Sequence, residues 1–131
     1  MFILDTNTLI YYFKGRGQVA ERLLARSPQE IGIPAVVVYE LEVGIAKATQ
    51  PEKRQQQLAE MLAVVATLPF GLAEARQAAQ IRAALEVAGT PIGPYDVLIA
   101  ATALAQGGTL VTHNVQEFGR VAGLSLVDWY T

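Results

Sequence analysis

Short apolar runs recur along this chain, each separated from the next by segments of helical character, and that alternation constrains the fold more than any other feature. The runs are Met1-Phe2-Ile3-Leu4, Ile31-Gly32-Ile33, Thr67-Leu68-Pro69-Phe70, Thr109-Leu110-Val111-Thr112 and Leu124-Ser125-Leu126-Val127. Helical patterns lie between them. The first follows Asp5 through the apolar stretch Leu9 to Phe13, and an amphipathic one spans Gln18 to Arg26, closed by Ser27-Pro28. Pro34 suits the first position of a helix over Ala35 to Ala48. After the break at Thr49-Gln50-Pro51, Glu52 to Ala66 reads as the next helix, and Leu72 to Ala88 follows with Gly89 as its stop. Gly93-Pro94 opens the last, Tyr95 to Gln106, which Gly107-Gly108 ends. Strands alternating with helices predict an α/β fold whose central, mostly parallel sheet of about four to five strands is covered on both faces.

At 131 residues and 52% hydrophobic content, the chain has the length of one domain with one core over residues 1–131. No repeat, linker or low-complexity tract interrupts it. The longest apolar run, around Val97 to Leu104, is about half of the roughly 20 residues a membrane span needs. No secretory signal is visible and there is no cysteine, so a cytoplasmic address is expected, with no membrane association. The net charge of −2 and pI of about 5.3 argue against a binder that holds nucleic acid by bulk charge, although a bound metal can recruit phosphate. A lone histidine without cysteine disfavours zinc, copper and iron–sulfur sites, whereas oxygen ligands suit magnesium or manganese.

Those oxygen ligands are distributed in a telling way. Asp5 stands directly behind the first strand, at the edge where open α/β sheets bind ligands, unless it serves only as a helix cap or Asx turn. Asp96 lies in the first turn of a helix that is apolar all round and therefore buried; its bland role is to complement the helix dipole. Asn114 and Glu117 follow the strand at Thr109, where a cap and a solvated acid are the plain alternative. Periodicity splits Glu40 and Glu42 almost evenly, with Glu40 slightly favoured because Val36, Val37, Val43 and Gly44 form its stripe, which turns inward. His113 reads as a loop residue before it reads as a base or ligand. Trp129, Tyr130 and the phenylalanines read as core or interface. Several carboxylates in one place repel unless a cation neutralises them, so a divalent metal site accounts for the set.

These residues carry a resemblance over nearly the whole length. Leu4-Asp5-Thr6-Asn7, Glu40-Leu41-x-x-Gly44, Ile92-Gly93-Pro94-Tyr95-Asp96-x-x-Ile99-Ala100 and Leu110-Val111-Thr112-His113-Asn114-x-x-Glu117-Phe118, leading to Val121-x-Gly123-Leu124 and Trp129, resemble the PIN-domain ribonucleases and specifically the VapC toxins of type II VapBC toxin–antitoxin pairs. The resemblance implies a PIN-like three-layer α/β/α fold. It also implies that Asp5, Glu40 and Asp96 are the acidic catalytic and metal-site residues, which selects Glu40 over Glu42. Asn114 replaces the aspartate of many PIN domains and can hold a metal-bound water; Glu117 supplies the missing acid. Thr6 and Thr112 are similar to the hydroxyl residues that flank such sites. Implied further are Mg2+, with Mn2+ as the substitute, and endonucleolytic cleavage of structured RNA, such as tRNA, by a metal-activated water, leaving 5′-phosphate and 3′-hydroxyl ends. A VapB-like antitoxin and a homodimer follow from the same resemblance, with contact surfaces near Leu9 to Phe13 and Val36 to Ile45. Substrate grip is expected from Lys14, Arg16, Lys47 and Arg82. Two rival readings remain open. One is a non-catalytic RNA-binding or scaffold protein, suggested by Asn114 and the acidic charge; the other is an aspartyl-phosphate phosphatase built on Asp5-Thr6-Asn7-Thr8.

Overall fold

A computed structural model describes all of residues 1–131. The elements run β1 (Phe2–Leu4), α1 (Thr6–Lys14), α2 (Val19–Leu24), a 3-10 turn (Pro28–Glu30), β2 (Ile31–Pro34), α3 (Ala35–Lys47), α4 (Glu52–Leu62), β3 (Ala66–Leu68), α5 (Leu72–Val87), α6 (Pro94–Gln106), β4 (Thr109–Val111), α7 (Val115–Phe118) and β5 (Ser125–Val127). The five strands form one sheet in the order β3-β2-β1-β4-β5. Every pairing is parallel, with Phe2 opposite Ile31 on one side and Thr109 on the other. Parallel neighbours need crossovers, and the helices between the strands supply them as outer layers, giving a three-layer α/β/α arrangement.

Apolar runs made the three central strands because both faces of the sheet are covered there. Ile3, Leu4, Ile33, Leu110 and Val111 have no exposed surface. Together with Leu9, Val37, Ile99 and Phe118 they belong to one contiguous core. α6 is buried along most of its length, Val97 to Ala103 being covered except for half-buried Leu98. No helix is long and apolar enough to cross a membrane.

Several boundaries moved for local reasons. Pro34 is not the first helical residue: its ψ of 142° is extended, it pairs with Leu68 as the end of β2, and it stands at the N-cap of α3. The helix expected to reach Ala66 stops at Leu62. There the Val64 and Val65 N–H groups turn back to the Met61 carbonyl, freeing Ala66 to pair with Gly32. β3 then ends at Leu68, because Pro69 has no N–H to continue a ladder. Leu124 donates to Val121 in a turn, so β5 starts one residue later. The four-residue α7 is too short for any periodicity to reveal it.

Candidate active site

The chain winds from β1 through β2 to β3 across one half of the sheet and then returns to β4 on the other side of β1. The crevice between the carboxyl ends of β1 and β4 is therefore the point where the winding reverses, and open parallel sheets take up ligands there. Asp5 leaves β1 at this crevice and Thr112 leaves β4. The Asp5 N–H donates to the Val111 carbonyl at 3.2 Å, and the Thr8 hydroxyl donates to the same oxygen at 3.0 Å. Two donors on one carbonyl fasten the first turn of α1 to β4.

Asp5 does cap that helix, its Oδ1 accepting the Thr8 N–H at 2.9 Å. It is also only 4% exposed. Burial pushes its carboxyl above the ordinary aspartate range, and hydrogen bonds from Thr112 and Thr8 offset only part of that rise.

Glu40 and Asp96 arrive on helices. α3 leaves the carboxyl end of β2 with Val37, Leu41 and Ile45 as its buried stripe. Glu40 is therefore not turned into the core, as its apolar neighbours suggested; it is half-buried on the flank of that stripe, and Glu42 is exposed. At this margin Glu40 keeps access to water and gains one strong partner, the Thr6 hydroxyl, which donates to Oε1 at 2.7 Å. α6 joins β4 through Gly107-Gly108, the left-handed φ of 65° at Gly107 making the reversal. Its 13 residues, about 20 Å long, must run from the carboxyl to the amino edge of the sheet. The first turn of α6, with Asp96, is thereby placed at the crevice.

Glu117 pins that first turn. Its Oε1 accepts the Gly93 N–H at 3.2 Å and its Oε2 accepts the Asn114 side-chain amide. Asn114 is exposed, and its own N–H donates to the Thr112 hydroxyl at 3.0 Å. Its side-chain amide thus holds Glu117 in place. Gly93 comes so near the site that a Cβ there would stand 3.1 Å from Asp96 Oδ2.

The acids share one electrostatic field. The Asp96 carboxyl is pushed up to about 6, first by burial and then by the charges of Glu117, Asp5 and Glu40. Yet no three acidic or histidine side chains converge at ligating distance of a common point. The acids thus feel one another's charge without three of them meeting around one point, so an ion here would be held by one or two carboxylates directly and by others through water. Magnesium binds in that manner, keeping several of its waters. Every donor is an oxygen and the chain has no cysteine, so the set fits a hard divalent cation.

The remaining expected residues divide cleanly. His113 lies with Nδ1 2.9 Å from Asp128 Oδ2 and stacks on Tyr130 at 4.3 Å, closing the C-terminal tail against α1. Asp128 gave no signal in the sequence, although it follows the last strand as Asp5 follows the first, and its charge reaches Asp5. Burial alone would raise its carboxyl; bonds from His113 and the Tyr130 N–H bring it below the usual aspartate value. Thr8 was also missed, and its signal was the third position after a capping aspartate. Among the expected basic residues, Lys14 lines a cleft of about 370 Å3 with Glu40, Lys53 and Arg54. Arg82 instead pairs with Glu86 on the exposed side of α5 at 3.3 Å, and Arg16 and Lys47 are exposed. A separate groove of about 540 Å3 is mostly apolar, bordered by Tyr12, Phe13, Leu23, Met61 and Val65, and includes none of the site's acids.

With this geometry the comparisons with known proteins agree. The PIN domain family pattern matches residues 2–124. The tRNA(fMet)-specific endonuclease VapC of Salmonella typhimurium is 33% identical over 128 residues, covering 98% of this chain and 97% of that protein. Ribonuclease VapC2 of Rickettsia felis is 33% identical over 132 residues, covering 98% of each. The crystal structure of VapBC2 from Rickettsia felis, bound to a DNA fragment from their promoter, contains a chain that superposes with a TM-score of 0.90 at 32% identity, over 98% of both chains. The chain therefore belongs to the PIN-domain family, on its VapC ribonuclease branch.

Proposed function

We propose that this chain, a single PIN domain over residues 1–131, is the toxin of a cytoplasmic toxin–antitoxin pair and cuts structured RNA in a Mg2+-dependent reaction, with Mn2+ as a substitute. The observation that supports this most is the Asp96 carboxyl, lifted to about 6 by burial and three further acids at the winding reversal of the sheet. Carboxylates crowded in this way are suited to a divalent cation, with Asp5 and Asp96 as the residues to hold it and Glu40, Glu117 and Asn114 reaching it through water. When bound, such an ion supplies Lewis acidity, lowering the pKa of water and neutralising charge on the attacked phosphate. Glu40, wet on one side and steadied by Thr6, is the group to accept the proton of the attacking water. Attack by water, not by the ribose 2′-hydroxyl, breaks the P–O3′ bond and leaves 5′-phosphate and 3′-hydroxyl ends.

The relatives named for tRNA(fMet) make tRNA the first substrate to try. Lys14, Lys53 and Arg54 beside Glu40 give an acidic protein local positive charge for the RNA backbone. An antitoxin akin to VapB is the proposed inhibitor, and the apolar groove at Tyr12 and Phe13 suits an apolar segment of it. A homodimer is part of the same reading. The phosphatase reading fits less well, since Asp5 is buried and its Oδ1 is engaged in capping, which blunts it as a nucleophile. Incubating purified protein with tRNA and titrated magnesium, then analysing the ends, tests the proposal. Cleavage should vanish in EDTA and in Asp5→Ala and Asp96→Ala; 2′,3′-cyclic phosphate ends, or RNA binding without turnover, would overturn it.

A further inference from the structure

Of the chain's phenylalanines, tyrosines and tryptophan, only Tyr39 and Tyr95 are exposed, at 52% and 43%. The others are buried in the core or packed against it. These two come from α3 and α6 and meet each other, ring centroids 5.6 Å apart at 56° and hydroxyl oxygens 3.4 Å apart. Each stands one residue before an acid of the site, Tyr39 before Glu40 and Tyr95 before Asp96. A step of one residue turns a helix by about 100°, so the rings stand beside the carboxylates at the rim of the cleft and not among them. The cleft with Lys14, Lys53 and Arg54 lies on the Leu41 and Gly44 side of Glu40, opposite to Tyr39. An RNA strand with a phosphate over the acids and its backbone along those cations therefore has the two rings on its opposite side.

We propose that Tyr39 and Tyr95 form a stacking platform for an unpaired base next to the scissile phosphate. This rests on the endoribonuclease reading above. Rings that offer their faces bind any base, because every base has a π-face, and they require it unpaired, because a duplex hides those faces. The platform thus favours cleavage within loops and tolerates differences in sequence there.

The test uses a single-stranded oligoribonucleotide carrying 2-aminopurine, whose fluorescence falls on stacking, titrated with the full chain in EDTA so that no cleavage is needed. Tyr39→Ala and Tyr95→Ala should each weaken binding about tenfold and abolish the quench. Tyr39→Phe and Tyr95→Phe keep the ring and should retain both, while melting temperatures show that all four variants fold. Binding and quench unchanged in the alanine variants would overturn the platform, as would a wild-type protein that does not quench at all. Alanine variants that lose RNA only as they pass from dimer to monomer in sedimentation would also overturn it, assigning the rings to contact between copies. A wild-type protein that quenches but never cuts with magnesium would leave the platform standing and sink the nuclease reading instead.

Discussion

Replacing Asp96 by asparagine removes one charge from a crowded cleft, and the raised carboxyl gives the sign of the effect and its order of magnitude. The rise of its carboxyl from 3.8 to about 6 corresponds to about 3 kcal/mol before screening. Asp96 is half-buried, so solvent discounts that figure by about half, to roughly 1–2 kcal/mol. A carboxyl raised in the folded state favours folding fully below the unfolded value of 3.8, and that contribution is lost as pH rises through about 6. In EDTA at pH 8, Asp96→Asn should therefore be more stable than wild type, melting roughly 5 °C higher. The difference should shrink through pH 6 and be gone near pH 4. Magnesium should reverse the ranking, because it stabilises the wild type by mass action and the variant less. Melting curves from pH 4 to 8, with EDTA or magnesium, measure all three. A variant less stable than wild type at pH 8 in EDTA, or a difference that ignores pH, would show that the acids do not share one field.

Thr6→Val should lower kcat about tenfold while moving the melting temperature little, since it frees Glu40 from its hydroxyl donor without opening the core; single-turnover cleavage reads this. Asp5→Asn and Asp5→Ala should both abolish cleavage, but only the alanine should also cost about 1 kcal/mol in urea unfolding, because asparagine still accepts the Thr8 N–H. Asp128→Asn should blunt the acid lability of the fold: the carboxyl is lowered, so its contribution is present above the unfolded value of 3.8 and lost below it, as acid titration by circular dichroism would record. Removing Lys14 or Lys53 should weaken RNA binding similarly for all sequences and flatten its log–log salt dependence by about 0.7 for each phosphate left without its cation.

The three central strands were legible because both faces of the sheet are buried there, so each is a short run that needs no alternation to be seen. The partly exposed edge strands Ala66-Thr67-Leu68 and Ser125-Leu126-Val127 lie instead at bounds shifted from those expected. Asp5 and Asp96 were legible for a related reason: a strand exit and the start of a buried helix are the two places where such a sheet tolerates a charge. Glu40 was harder. The valines around it suggested burial, but periodicity cannot tell the centre of a stripe from its flank, and Glu40 lies on the flank. Glu117 and Asn114 stood out as a pair, yet their mutual hydrogen bond and the grip of Glu117 on Gly93 depend on a loop after β4 that no pattern specifies. Tyr39 and Tyr95 carried no signal beyond standing next to acids, because what distinguishes them is a meeting of residues 56 apart in sequence.

The same distances explain why this cleft can be costly and still well ordered. Three of the acids have a second attachment that does not depend on the others: Asp5 to the first turn of α1, Glu40 to Thr6, and Glu117 to Gly93 and Asn114. Asp96 has no such tether, and it is the carboxyl driven to about 6. Burial, with the charges of Glu117, Asp5 and Glu40 added to it, thus acts on the one acid that no side-chain hydrogen bond holds, while the other three are held by the fold. Burial raises Asp5 as well, so protons and a cation should compete at both aspartates, and Asp96, half-buried and untethered, is the position where that competition is easiest to follow.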